Sequence, residues 1–182
     1  TMFAAATVNA AAGRLTSRIH FHHFAATAEI AAAELPDEMI LSMVWNSEQR
    51  LQVITDKRLH VYDQNGAELF VADTPEGVTH FENSPEGVLY LASGDSQSAG
   101  GVTVTGYDST LRSLGSWNSG RKVLSMQYYE GRLLILTDGK LFLSDKGLSQ
   151  VKERRVNGLT AVCGTGSAIY GINSEGLIRT GL

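Results

Sequence analysis

The stretch that decides the fold is VITDKRLHVYDQNGAEL, Val53 to Leu69. Leu59 and Val61 lie two apart, the side-chain period of a strand, not three or four apart as on one face of a helix. Asn65-Gly66 is a turn signal between extended runs. The same rhythm returns in ILTDGKLFLSDKGLSQ from Ile135 and in GINSEGLIRTGL from Gly171. Each copy sets an aliphatic residue and a leucine on either side of a short polar turn: Ile54 and Leu59, Leu136 and Leu141, Ile172 and Leu177. A looser copy, LASGDSQSAGGVTVTGYDSTL from Leu91, carries a longer turn.

Upstream of each copy lies another apolar segment: ILSMVW from Ile40, VTHFEN from Val78, VLSMQYY from Val123 and LTAVCG from Leu159. The repeat therefore has a period of about 36 to 45 residues, in the range of propellers and solenoids. The first full copy reads as four antiparallel strands: Ile40 to Trp45, Arg50 to Thr55, Arg58 to Tyr62, and Ala67 to Ala72. A lone four-stranded meander cannot bury both faces, so such sheets stack around an axis. The expectation is an all-β, β-propeller-like array of about four to five blades, with repeats over 39–77, 78–122, 123–158 and 159–182.

The first 38 residues admit two readings. Alanine favours a helix, above all in AATAEIAAAEL. Alternatively MFAAATVN, RLTSRIHFHH and ATAEIAAAEL are strands of a first or closing blade, ended by Pro36-Asp37 as Pro75-Glu76 ends the next; the strand reading is preferred. The last copy reads as the first three strands of a further blade. Its fourth strand would come from the segment at Met2 or from a partner protein.

VCGTGSAIYGINSEGLIR, together with the repeat rhythm from Ile40 to Leu182, resembles the β-propeller repeat superfamily, broadly WD-repeat or tectonin-like proteins. That resemblance implies a propeller fold. A tectonin-like likeness further implies a lectin that takes a carbohydrate or small ligand in pockets built from an aromatic ring and polar neighbours.

Of 182 residues, 43% are hydrophobic and 19% charged, too apolar for a disordered chain. The formal net charge of −4, with no basic cluster beyond Lys152 to Arg155, argues against nucleic acid. No apolar run reaches the roughly 18 residues of a membrane span. The single cysteine, Cys163, cannot form an internal disulfide. With no visible signal peptide, it points to the cytoplasm.

Chemistry-bearing candidates are few. His20 and His22 share one face of a strand and form a weak metal pair if His60, His80 or a carboxylate supplies a third ligand. The alternative is two polar positions on a half-exposed strand. Gly164, Gly166 and Gly171 imitate a phosphate loop but lack the following Lys-Ser/Thr and helix, so they read as turn residues. Asp63, Asn65 and Glu68 lack the ligand spacing of a calcium loop, and an Asx turn accounts for them. No paired carboxylates, nucleophile with its base, or cofactor motif is visible. The expectation is thus a non-enzymatic interaction scaffold without a cofactor. Trp117, Tyr128, Tyr129 and Phe142 are its candidate contact residues, with core packing as their other reading.

Overall fold

The computed structural model describes residues 2–11, 13–26, 28–94, 101–166 and 168–180. Among them there is no helix, and the strands fall into five antiparallel sheets in which sequence neighbours pair. The first sheet holds β1 (Met2–Ala11), β2 (Arg14–His23) and β3 (Glu29–Pro36). The second holds β4 (Ile40–Trp45), β5 (Leu51–Thr55), β6 (Arg58–Tyr62) and β7 (Glu68–Asp73). The third holds β8 (His80–Asn83), β9 (Leu89–Ser93), β10 (Thr103–Tyr107) and β11 (Ser113–Asn118). The fourth holds β12 (Val123–Tyr129), β13 (Arg132–Thr137), β14 (Lys140–Ser144) and β15 (Val151–Arg155). The fifth holds β16 (Ala161–Thr165), β17 (Ala168–Asn173) and β18 (Gly176–Thr180). Most of the long polar turn SGDSQSAGG, at 95–100, lies outside the described residues.

The alanine-rich segment is extended despite its helical propensity. In β3, Ala31 and Ala33 pack against a core cluster and Leu35 is buried, so period two governs where tertiary burial can act on it. Contacts divide the chain into two compact units. One comprises Thr1–Thr74 with Pro85–Gly87 and Ser109–Leu111. Its core joins Ile19 and Phe21 of β2 to Leu51 and Val53 of β5, with Phe21 lying 5.8 Å from the Tyr62 ring.

The other unit comprises Pro75–Ser84, Val88–Asp108 and Arg112–Leu182. Here β13 works in both directions. Leu133 and Ile135 join Tyr90, Val104 and Phe142 in one cluster, while Leu134 and Leu136 join Leu159, Val162 and Ile169 in another. Each fully buried aliphatic side chain stabilises such a cluster by about 1.5–3 kcal/mol.

A local device recurs where the third strand of a full sheet turns into the fourth. Asp63, Asp108 and Asp145 each accept, through Oδ1, the N–H of a residue four or five positions on: Ala67 at 2.9 Å, Arg112 at 3.0 Å and Gln150 at 2.8 Å. Three residues after each aspartate the backbone turns left-handed, at Gly66, Leu111 and Leu148. Leucine is strained there, and burial of Leu111 and Leu148 offsets the strain.

Candidate interaction surface

The densest polar cluster lies in the first unit, around Glu38, a carboxylate with no solvent exposure. Thr55 Oγ1 donates to Glu38 Oε2 at 2.6 Å, and the Arg58 guanidinium pairs with Oε1. His60 spans two carboxylates, with Nε2 3.0 Å from Glu38 Oε2 and Nδ1 2.6 Å from Glu68 Oε1. Ionised carboxylates only accept, so the imidazole bonds both as a donor only in its doubly protonated form. The Tyr62 hydroxyl also donates to Glu68 Oε1, at 3.2 Å.

Burial alone would push the Glu38 carboxyl up. The Thr55 and His60 hydrogen bonds, with the charges of His60 and Arg58, outweigh it and hold Glu38 below the usual range. Burial, reinforced by Glu68, pushes the Tyr62 hydroxyl up. Thr55 and His60 bond Glu38 Oε2, whereas the buried Oε1 has only the Arg58 ion pair and no hydrogen bond; the cluster fastens the strand pair β5–β6 to the chain entering β4. The repeat shows its structural character: the position of His60 in β6 is taken by Phe142 in β14, against Trp117 at 4.6 Å. A strand reading of Leu59-His60-Val61 finds this network only by asking why a polar ring occupies a core position.

The metal candidates are spent otherwise. His20 lies 2.5 Å from Glu29 Oε2 and 3.1 Å from Thr7 Oγ1, and His22 stacks on Phe3 at 4.9 Å. Among the described residues no group of three or more His, Cys, Asp or Glu side chains is placed to hold a metal ion. Asp63 makes the Asx turn, and Glu68 leaves it for His60.

Only Gly166 of the three glycines that imitate a phosphate loop falls at a turn. Gly164 and Gly171 lie inside β16 and β17, where small size is required: a Cβ on Gly164 would enter the Tyr129 ring, and one on Gly171 would come within 2.7 Å of Leu159.

The four expected contact aromatics serve packing within the second unit. Phe142 is 5% exposed and is a core residue, a correction to its reading as surface. Trp117 is half-buried against Phe142; Tyr128 stacks on Tyr90 at 6.4 Å. Half-buried Tyr129 donates its hydroxyl to the Gly166 carbonyl. Glu82 accepts the Tyr128 backbone N–H at 2.9 Å; burial pushes its carboxyl up, only partly opposed by that bond.

Exposed apolar side chains occur along the chain, Phe24 and Val71 among them, and on the fifth sheet they include members of the repeated pair. Ile54 with Leu59, and Leu136 with Leu141, are paired across their hairpins and at most 1% exposed. The third pair of the repeat, Ile172 and Leu177, has the same register but is 47% and 67% exposed. In the fourth sheet that face is covered by Leu159, just before β16, and by Val162 and Ile169 of the fifth. Exposed Cys163 and half-buried Tyr170, partners across β16 and β17, lie on the open face with Ile172. Sequence treats the three pairs as equals, because exposure is decided by whether another sheet packs on the face and not by the sheet's own pattern. In the first unit a separate pocket of about 320 Å³ is lined by Met2, Trp45, Asn46 and Gln49.

Comparison with solved structures identifies the architecture. BBS1N, in its complex with ARL6DN, matches with a TM-score of 0.66 at 13% identity, over 96% of this chain and 63% of that one. Sqt1 of Saccharomyces cerevisiae matches at 0.61 and 13% identity, over 98% and 58%; BamB of Moraxella catarrhalis matches at 0.57 and 13%, over 94% and 56%. The fold is a β-propeller. The chain spans about three-fifths of the length of these propellers, between 56% and 63%. No family model and no curated protein matches it. Among the described residues no helix is long and apolar enough to cross a membrane.

Proposed function

We propose that this chain is a non-enzymatic protein-interaction scaffold, part of a larger assembly, that meets its partner through the open face of β16–β18. One observation carries the reading: Ile172 and Leu177 stand in solvent, at 47% and 67% exposure, in positions that the chain buries in two other repeats. Exposed aliphatic side chains on a regular sheet are a surface that association can cover. A protein partner also agrees with BBS1N, a propeller match solved in complex with ARL6DN. A cytoplasmic location, drawn from the single cysteine, belongs to the same proposal.

The test is affinity enrichment from cell extract with three baits: the native chain, an Ile172→Lys/Leu177→Lys variant, and a control altered on the first sheet, Glu34→Lys. The expected result is a protein set retained by the native chain and the control and lost by the double variant. Equal sets on all three baits, or none on any, would sink the proposal.

The pocket beside Trp45 favours a second reading, a tectonin-like carbohydrate or small-ligand site. An indole flanked by the amides of Asn46 and Gln49 is the kind of setting a sugar takes. A glycan array gives a discrete set of hits, lost in Trp45→Ala, if that reading is right, and no hits if it is wrong.

A further inference from the structure

We infer that the pocket between Arg132 and Lys152 on the fourth sheet is a binding site for a phosphate dianion, free or as the monoester of a small molecule. It is a different place from the β16–β18 face and from the pocket beside Trp45, and it stands or falls without them.

The pocket, of about 130 Å³, is lined by Arg132, Leu143, Ser144, Asp145, Gln150 and Lys152. All six belong to β13, β14, β15 or the turn between the last two. The ladder places the two cations on one face. Leu134 lies opposite Leu143, and Leu143 opposite Lys152. Arg132 is two residues before Leu134, so the pleat returns it to the same side. Both cations are exposed, and among the described residues neither has a hydrogen bond, an ion pair or a ring contact.

The chain's own repeat marks this pair as a departure. Leu51, Leu89 and Leu133 lie opposite Tyr62, Tyr107 and Ser144, each just ahead of a turn aspartate, and the residues before them are Arg50, Val88 and Arg132. On the fourth strands, Phe70, Gly115 and Lys152 lie opposite Val61, Gly106 and Leu143. In the second sheet Arg50 is satisfied: it lies over the Phe70 ring at 5.8 Å and pairs with Glu48 at 2.9 Å. The third sheet has no charge at either position. In the fourth sheet a second cation stands where the ring would be. Glu130 precedes Arg132 as Glu48 precedes Arg50, but makes no ion pair with it. Like charges brought together on a sheet destabilise it. An anion between them removes that repulsion.

The lining suits phosphate. A guanidinium fork takes two phosphate oxygens at once, and a lysine ammonium adds a compact point charge. Two cations match the charge of about −1.5 to −2 that a phosphate monoester carries at pH 7, whereas a carboxylate would leave one of them unmatched. The one carboxylate of the lining, Asp145, is committed to the turn: Oδ1 accepts the Gln150 N–H at 2.8 Å and Oδ2 the Ser149 hydroxyl at 2.7 Å. Its charge weakens the site without reversing its sign.

The test titrates the isotope-labelled full chain, at fixed ionic strength, with phenyl phosphate, inorganic phosphate and benzoate, and follows amide chemical shifts. The expected result is saturable shifts confined to the amides around 132, 144–145 and 150–152, with a phosphate Kd of about 1 mM. Lys152→Phe installs the second sheet's arrangement. It should weaken phosphate about ten-fold while its urea midpoint stays at or above the native value. Lys152→Ala, which adds no ring, should weaken binding equally. Arg132→Lys keeps the charge but loses the fork, and should weaken it about three-fold. Tighter binding of phenyl phosphate than of inorganic phosphate assigns the site to an ester; equal affinity assigns it to the free ion. Shifts that do not saturate, benzoate bound as tightly as phenyl phosphate, or Lys152 variants that bind as the native chain does overturn the inference.

Discussion

Replacing Glu38 by glutamine tests whether the buried network around His60 holds the first unit together. The substitution keeps the volume, so no cavity term enters. It removes the charge to which Thr55 Oγ1 and His60 Nε2 bond at 2.6 and 3.0 Å. Hydrogen bonds to a charged group contribute about 1.5–3 kcal/mol each. The amide must also turn its NH₂ toward either Arg58 or the Thr55–His60 pair, donor against donor. Arg58 is 45% exposed, so its ion pair adds at most about 1 kcal/mol. The cost expected is about 3 kcal/mol, at the lower edge of the range for removing one partner of a buried pair.

The assay uses the two tryptophans, Trp45 in the first unit and Trp117 in the second. In a Trp117→Phe background, urea unfolding followed by Trp45 fluorescence reports the first unit. With a slope of about 1–1.5 kcal/mol/M, the midpoint falls by about 2–3 M. A shift worth under about 0.5 kcal/mol refutes the reasoning.

The pH dependence supplies a second arm with a definite sign. The Glu38 carboxyl is held below its ordinary range in the folded state. Its contribution is therefore complete above the unfolded value of about 4.3 and is lost as pH falls through the lower folded value. Native chain and Glu38→Gln should differ most at neutral pH and converge on acidification below about pH 4. Curves that stay parallel show that the carboxylate is not the group concerned.

Single sites carry the remaining expectations. Glu82 has the opposite sign, since burial raises its carboxyl and the stability of the ionised form falls as pH rises. Glu82→Gln should therefore stabilise the Trp117-reported transition at pH 7 and lose the gain below about pH 4. Leu141→Ala, at a site with no exposure, should cost about 2–5 kcal/mol in denaturant unfolding, while Leu177→Ala, 67% exposed, should cost under about 0.5. Equal costs would mean the Leu177 face is covered. Gly164→Ala should cost about 1–3 kcal/mol by intruding on the Tyr129 ring, with a coupling in a double-mutant cycle with Tyr129→Ala. Exposed Cys163 should react with a thiol reagent in the native chain without prior unfolding, and a lag that tracks unfolding would contradict its placement.

The range of each interaction decides how far sequence discloses it. Strand period and turns are local: β4, β6 and the Asp63 turn are legible from neighbours in sequence, and the second sheet's strands begin within one residue of where the pattern places them. Sheet-to-sheet burial is not local. Phe142, one residue from the repeated leucine, reads as either a contact or a core aromatic until Trp117 is found against it from another sheet. His60 reads as a metal candidate until Glu38, 22 residues earlier, is found beneath it. Gly164 reads as a turn residue until Tyr129, from another sheet, claims the space of its missing side chain.

The two three-stranded sheets differ in how much charge their open faces carry, which bears on where an apolar partner sheet can settle. On the first, the face away from Ile19 and Phe21 carries Phe3 stacked on His22, and beside them Arg18, His20, Glu29 and Glu34, linked as ion pairs of Arg18 with Glu29 and Glu34, and of His20 with Glu29. Covering that face with aliphatic side chains would strip water from these charges, a cost that exposed pairs worth about 0–1 kcal/mol cannot repay. On the fifth sheet the same operation removes Ile172 and Leu177 from water, a gain of about 25 cal/mol for each Å² of apolar surface covered. Specificity under the proposed function therefore resides in β16–β18, and charge placed at Ile172 or Leu177 should abolish association more completely than any change among Arg18, Glu29 and Glu34.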